Sequence, residues 1–537
     1  MATDNDRTDI LVIGSGAAGA AVAWQLAEKG AKVVCLEQGD WVKPGEYGST
    51  KPDYEVNIQR GPWNFSPNVR RLPEDYPVVE AGKDPPGILM FNAVGGSTIH
   101  WACHFPRFHP SDFRVRKLDG VADDWPLTYK DLEPYYDEND RQIGVSGIVG
   151  DPCNPDRTAR STPALPLGIL GETITRGFDK LGWYWWPSDN AINSRDYDGR
   201  PACTLHGKCL FGCAIGAKAS TDITYWPKAL KKGAVIRTHA RVREISLDSR
   251  GRARGAIYYD RKGGLHEALA RVVVVCCNGV GTPRLLLNST SGLFPDGLAN
   301  SSGQVGKNFM IHPFRMLEGV FEHRVDGWRG PFGIPAMSQQ FYETDPSHGF
   351  LRGYSFLLER SFGPLHQAWG SFAGHPIPWG RDHHRVMRRR FGHLIRVTVL
   401  GEDLPEAHNR VELDADLTDS NGIPAPKVFY TYSENSLKML EHGGRRAREA
   451  LEAAGATEVL DSGVMQPGFH LMGTARMGSD PGNSVVDAWN QAHDVRNLYI
   501  VDGSSFTTSA AVNPTSTIGA IALRCADGIW VRRREWI

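Results

Sequence analysis

The sequence predicts an α/β protein in which a Rossmann-like nucleotide-binding domain is interleaved with an α+β domain built on an antiparallel sheet. Three observations predict it: an apolar strand that runs into a glycine-rich turn and a helix at the start, alternating strand-like segments in the second half, and a short apolar strand followed by a helix near the end.

The first element is Ile10-Leu11-Val12-Ile13, which enters Gly14-Ser15-Gly16-Ala17-Ala18-Gly19 and then a helix from Ala20 to Lys29. A second strand, Lys32 to Leu36, ends at Glu37. Gly14 allows the tight turn, Gly16 lets the backbone approach a diphosphate, and Gly19 permits close packing of helix on strand. The helix N-terminus offers unpaired N–H groups to phosphate. Glu37, 23 residues after Gly14, suits a ribose hydroxyl pair and argues against a 2′-phosphate, but it fits FAD and NAD equally.

A chain of 537 residues is too long for one ordinary core, so two packed domains are expected. Residues 1–45, 81–115, 200–310 and 461–537 are assigned to the nucleotide-binding domain; 46–80, 116–199 and 311–460 form the substrate domain and excursions. Lys plus Arg number 60 against 61 Asp plus Glu, so no global field recruits nucleic acid or an anionic membrane. No apolar run reaches the roughly 18 residues of a membrane span. The chain enters its first strand within ten polar residues, which leaves no room for a leader and points to the cytoplasm.

Strand-like segments follow at Val235-Ile236, Val242 to Ser246, Gly255 to Tyr259 and Val272 to Cys277, the last resembling a fully buried parallel strand. Residues 325–392, rich in Gly, Pro, Trp and Arg, read as irregular. Leu394 to Leu400 reads as a strand of an antiparallel sheet with one wet face. Near the end, Asn497 to Gly503 is a short strand closing on Asp502-Gly503, and Pro514 to Arg524 is a helix with Pro514 near its first turn. An acid there meets a ribityl chain and the following helix aims its positive end at a flavin, which favours FAD over NAD.

The segments Gly95-Gly96-Ser97-Thr98-Ile99-His100-Trp101, Gly279-Val280-Gly281-Thr282-Pro283, Phe469-His470-Leu471-Met472-Gly473-Thr474 and Val512-Asn513-Pro514-Thr515 resemble the glucose-methanol-choline (GMC) flavin oxidoreductases over essentially the whole chain. Pro106-Arg107-Phe108 and Asp196-Tyr197-Asp198-Gly199-Arg200-Pro201 are similar to the flavin subunits of bacterial glucose, gluconate and sorbitol dehydrogenases; pyranose oxidases and glycoside 3-oxidising enzymes are also similar. The resemblance implies that Gly14, Gly16, Ala17, Ala18, Gly19, Glu37, Gly95, Gly96, Ser97, His100, Trp101, Val242, Asn278, Gly279, Thr282, Asp502, Gly503, Pro514 and Thr515 surround FAD. A histidine in a similar place carries flavin covalently in pyranose oxidases; here the expectation is non-covalent FAD with His100 beside the ring.

Oxidising an alcohol by hydride transfer requires a base within hydrogen-bond reach of the O–H and flavin N5 facing the C–H. His470 is the candidate base, because a near-neutral imidazole can take that proton. Asn513 cannot titrate, so it is expected to orient the hydroxyl. The resemblance implies a sugar or glycoside substrate, oxidised to a keto-sugar or lactone, with Trp101, Trp183 and Trp186 as candidate stacking surfaces. The electrons would pass to an external acceptor or to oxygen, and a small helper subunit is a candidate partner. An oxygen-using oxidase, a flavin-retaining lyase and a non-catalytic flavoprotein are the alternatives.

Nine cysteines are present. Cys35, Cys276 and Cys277 sit in apolar strands and read as buried small hydrophobes. Cys203, Cys209 and Cys213 share a loop with Gly207, Gly212 and Gly216. The resemblance implies that these three hold a [3Fe-4S] cluster, although Thr204 and Ala214 stand where the dehydrogenases have a cysteine and a proline. A zinc site completed by His206, or three free thiols, are the other readings.

Overall fold

The computed structural model describes residues 7–57, 64–69, 75–371 and 373–535; within the 46–80 excursion, 58–63 and 70–74 lie outside the described residues. The opening strand, Thr8–Ile13, lies inside a sheet of order Val235–Arg237, Val33–Leu36, Thr8–Ile13, Leu265–Val275, Ala253–Tyr259, Arg241–Leu247. The first four are mutually parallel, and Leu498–Ile500 adds in parallel beside Leu265–Val275. The remaining pairs are antiparallel.

Leu265–Val275 serves two ladders. Its residues 265–269 pair with Ala253–Tyr259, and its later residues pair with Thr8–Ile13. Val272 to Val275 form its continuous, fully buried apolar run, as expected where helices cover both faces. Its first three residues, Leu265 to Glu267, are exposed and Arg271 interrupts the apolar run, so the sequence pattern marks the strand only from Val272; Cys276 and Cys277 have already left it. Cys35 and Cys276 are buried, and Cys277 partly so.

The helix after the glycine turn is Ala17–Glu28, starting three residues before the expected Ala20 because Gly16 itself serves as N-cap. Gly14 takes φ +95°, a left-handed conformation that glycine adopts without steric cost. The last helix, Thr515–Val531, has Pro514 as its N-cap and runs beyond the expected Arg524. It packs against Ala17–Glu28 and Tyr129–Ile143, which closes the end of the chain onto its beginning.

The second sheet has six strands, in the order Glu458–Met465, Phe314–Val320, Leu394–Gly401, Tyr354–Glu359, Ala336–Phe341, Trp186–Pro187, every pair antiparallel. Helix Glu434–Ala454 packs on Phe314–Val320 and Leu394–Gly401, with Gly168–Leu181 against the helix. The wet face expected for Leu394–Leu400 is absent: all eight residues of Leu394–Gly401 are buried. The helix covers one face, and the loop before the last helix approaches the sheet, where Ser355 Oγ donates to Ala511 O at 2.7 Å.

Residues 325–392 are likewise more regular than expected. They contain Ala336–Phe341 and Tyr354–Glu359 as well as the helices Pro364–Ala368 and His383–Arg390. Both strands are buried along most of their length, so neither shows the alternation that marks a half-exposed strand. Among the described residues no helix is long and apolar enough to cross a membrane.

Candidate functional site

A cavity of about 480 Å³ opens between the two sheets, lined from the glycine turn on one side and from the antiparallel sheet and its loops on the other. Gly14, Gly16, Ala17, Ala18, Glu37, Gly96, Ser97, His100, Trp101, Val242, Asn278, Asp502, Gly503, Pro514 and Thr515 line it, together with His470 and Asn513. Gly19, Gly95, Gly279 and Thr282 stand behind the wall. A Cβ on Gly19 would sit 1.9 Å from Gly14 O, and one on Gly279 would sit 2.5 Å from the Leu471 backbone. At Gly95, with φ +96°, it would crowd Asp222. Thr282 Oγ1 donates to Asp502 at 2.7 Å.

The polar groups at the nucleotide end are held by the turn. Glu37 Oε2 accepts from Ser15 N and Oγ at 3.0 and 2.6 Å, and Oε1 accepts from Gly39 N at 2.9 Å. Burial raises the Glu37 pKa, and these bonds oppose the rise. A Cβ placed on Gly16 would meet nothing within 4 Å, so open space lies beside the N-terminus of Ala17–Glu28, where four N–H groups have no intrahelical partner. Asp502 fastens the far strand: its carboxylate accepts from Asn278 N, Thr282 Oγ1 and Ser504 N at 3.0, 2.7 and 2.7 Å. Asn278 reaches that position with φ +68°.

At the other end His470 and Asn513 meet. His470 Nε2 lies 3.3 Å from Asn513 Nδ2, and its Nδ1 lies 2.8 Å from His312 Nδ1. His312 Nε2 is 2.9 Å from Ala510 O. On the opposite side Asn513 Oδ1 is 2.6 Å from His104 Nδ1, and His104 Nε2 contacts Ser188 Oγ. Phe469 packs edge-on against the His470 ring and Phe314 lies tilted beside it.

Burial disfavours the charged imidazole. It holds His470 well below the ordinary 6.5, and neighbouring His312 and His104 push the same way. Burial also lowers His104 and His312 to about 4, opposed by the Asn513 and Ala510 contacts. The base candidate is therefore neutral at physiological pH. His104, Ser188 and His312 were not singled out from the sequence. His104 follows His100 by four residues and His312 precedes Pro313, but no spacing rule links either to His470.

Trp101 lines the cavity, whereas Trp183 and Trp186 do not: Trp183 stacks on Phe356 and Trp186 on Tyr184. The side of the cavity formed by the antiparallel sheet carries Met316, Phe332 and Phe469 and one carboxylate, Glu359.

Cys203, Cys209 and Cys213 lie outside the cavity lining. Their sulfurs accept from the backbone N–H groups of Leu205, Phe332 and Lys218, each at 3.4 Å. Among the described residues no three His, Cys, Asp or Glu side chains are placed to hold a metal ion, so the expected ligand set is not assembled in this arrangement, nor is the zinc site with His206. Burial instead raises Cys203 and pushes Cys209 up to about 12.

Two family models described as GMC oxidoreductase match this chain, one over residues 8–314 and one over 405–522. The chain is 48% identical to a 2-methyl-1,2-propanediol dehydrogenase of Mycolicibacterium austroafricanum, covering 98% of this chain and 96% of that one. It is 31% identical to a fructose dehydrogenase large subunit of Gluconobacter japonicus, covering 98% and 99%. Among solved structures, a pyridoxine 4-oxidase from Mesorbium loti superposes with a TM-score of 0.66 over 98% of this chain and 99% of that one, at 18% identity, a likeness of fold.

Proposed function

Because the chain belongs to the GMC oxidoreductase family, we propose that it is an FAD-dependent enzyme that oxidises a CH–OH carbon of a small vicinal diol or sugar. His470 takes the hydroxyl proton and Asn513 orients the hydroxyl. The observation that carries this reading is the meeting of His470 Nε2 and Asn513 Nδ2, 3.3 Å apart, on the wall of a cavity whose other end is a dinucleotide-type turn.

FAD, bound non-covalently, supplies the hydride acceptor. The open space beside Gly16 suits a diphosphate at the helix N-terminus, and Glu37, fixed by Ser15 and Gly39, is left to receive ribose hydroxyls. Asp502 stands where a ribityl chain would pass, and the positive end of Thr515–Val531 faces the cavity. Asn513 Nδ2 carries two hydrogens, one for His470 and one for the substrate oxygen. The apolar wall of Met316, Phe332 and Phe469 excludes water from the reacting carbon, and Glu359 can accept from a second hydroxyl.

The two relatives' names support the substrate class: a 1,2-diol and fructose both place hydroxyls on adjacent carbons. Both are dehydrogenases by name, which favours an acceptor other than oxygen. Anaerobic visible titration of the flavin with 2-methyl-1,2-propanediol, fructose, glucose and a simple glucoside, followed by admission of air, tests the proposal. Bleaching followed by slow reoxidation is expected. A flavin that none of these alcohols bleaches would leave the lyase reading ahead.

A second reading concerns electron exit. Three sulfurs on one loop, each accepting a backbone N–H, share a feature with thiolates that hold iron–sulfur clusters, and a [3Fe-4S] group there requires the loop to draw them together. About three irons and about four acid-labile sulfides per flavin would support it; their absence from freshly isolated protein would remove it.

A further inference from the structure

We infer that His312 and His104 are positioning residues that fix His470 in a single tautomer, with Nδ1 protonated and Nε2 unprotonated, its lone pair accepting from the Asn513 amide until a substrate hydroxyl takes that place. This rests on the reading of His470 as the base. The hydrogen positions follow from groups that can act in only one way.

Ala510 O can only accept, so His312 Nε2, 2.9 Å away, carries the hydrogen. A neutral imidazole has one N–H, and His312, wholly buried, is held neutral by burial. Its Nδ1 therefore accepts, and His470 Nδ1, at 2.8 Å, is the N–H that donates to it. His470 Nε2 is then bare.

The other flank is consistent with the same answer. Asn513 Oδ1 can only accept, so His104 Nδ1 donates to it at 2.6 Å, and His104 Nε2 accepts from the Ser188 hydroxyl. This leaves the Asn513 Nδ2 amide facing His470 Nε2 at 3.3 Å. An amide NH2 group can only donate, so in this orientation the ring nitrogen is the bare one. Rotating the Asn513 amide by half a turn would set its oxygen against the Nε2 lone pair, which the His312 side forbids. Five hydrogen bonds thus run in one direction each, from Ser188 through His104 and Asn513 to His470, and from His470 through His312 to Ala510.

The backbone at both ends is held in an unusual conformation. Ala510, the terminal acceptor, has φ +56°, and Cys103, immediately before His104, has φ +69°. Non-glycine residues persist there only when their surroundings hold them. On proton transfer the substrate hydroxyl takes the place of the Asn513 N–H at Nε2 and gives its proton there while the Nδ1–H stays bonded to His312, so the ring need not turn during the step. The titratable groups facing it are His312 and His104.

The test compares His312→Phe, which cannot accept, with His312→Gln, which can accept from His470 and donate to Ala510. Anaerobic flavin reduction is followed by stopped flow with whichever alcohol of the panel bleaches the wild type. Loss of the acceptor is expected to slow the reduction rate constant by about a hundredfold, within the range for acid–base catalysis. The half-saturation concentration should change by less than about threefold, and the Gln variant should recover most of the loss. Reduction at the wild-type rate in FAD-loaded His312→Phe, or equal loss in both variants, would overturn the assignment. His470→Ala, measured alongside, separates the two ideas: if it too reduces at the wild-type rate, the base reading itself fails. Should the His312 variants lose FAD, nitrogen-15 spectra of histidine-labelled wild-type protein decide. His470, identified by the resonances missing in His470→Ala, is expected to show a protonated Nδ1 and a bare Nε2; the opposite tautomer would refute the inference.

Discussion

Gly16 and Gly19 belong to the same turn, yet the structure assigns them opposite sensitivities to one added methyl. At Gly19 the methyl would lie 1.9 Å from Gly14 O and 3.3 Å from Val12 Cγ1, so the helix must withdraw from the strand by more than 1 Å, given ordinary contacts of about 3.5 Å. Overpacking of this kind costs about 1–3 kcal/mol or more. At Gly16, whose φ is −70°, the methyl meets no protein atom within 4 Å, so the fold is unharmed and the unfolded chain loses a little freedom. There the methyl fills the space assigned to the diphosphate, and a loss of about 2–3 kcal/mol corresponds to roughly a hundredfold weaker binding. Thermal melting of the flavin-free protein and equilibrium titration with FAD separate the two effects. Gly19→Ala should melt earlier; Gly16→Ala should melt as wild type but bind FAD weakly. A Gly16→Ala variant that holds FAD as tightly as wild type would refute the placement of the diphosphate.

Acid should destabilise the fold through His104 and His312. Both fall from 6.5 to about 4 in the folded state, so between those values the unfolded chain binds protons that the folded one does not. Their stabilisation is complete above pH 6.5 and is lost as pH falls toward 4, by about 3 kcal/mol for each histidine. Urea midpoints across this window should decline with acidity and less steeply in His312→Gln; a flat dependence would contradict the burial argument. Glu359→Gln should raise the half-saturation concentration for a polyol by about tenfold, the worth of one charge-assisted hydrogen bond, without changing FAD content; an unchanged value would remove Glu359 from substrate binding.

The legible parts of this fold are those whose physics is local. The turn from Gly14 to Gly19 is read from spacing, because each glycine answers to a contact within the same strand–turn–helix unit. His470 and Asn513 are flagged by their segments, and the fold then brings residues 43 apart in sequence to within 3.3 Å. What sequence reading misses is set by tertiary contact. Ala336–Phe341 and Tyr354–Glu359 lack alternation because they are buried on both faces, and Leu265–Val275 changes partners midway along its length. His104, Ser188 and His312 come from three separate regions and acquire meaning only through hydrogen bonds across 409, 84 and 158 residues. The cysteine loop is the converse case: its spacing suggests one ligand set, while its sulfurs turn to three different backbone amides.

The most direct test of the central claim is single-turnover reduction of the bound flavin under anaerobic conditions, in wild type and in His470→Ala, with the alcohol that bleaches the wild type best. Loss of the base should slow bleaching by about a hundredfold or more while the visible spectrum still reports a full complement of FAD. Equal rates in the two proteins would show that the proton leaves the hydroxyl by another route, and would contradict the account of this site.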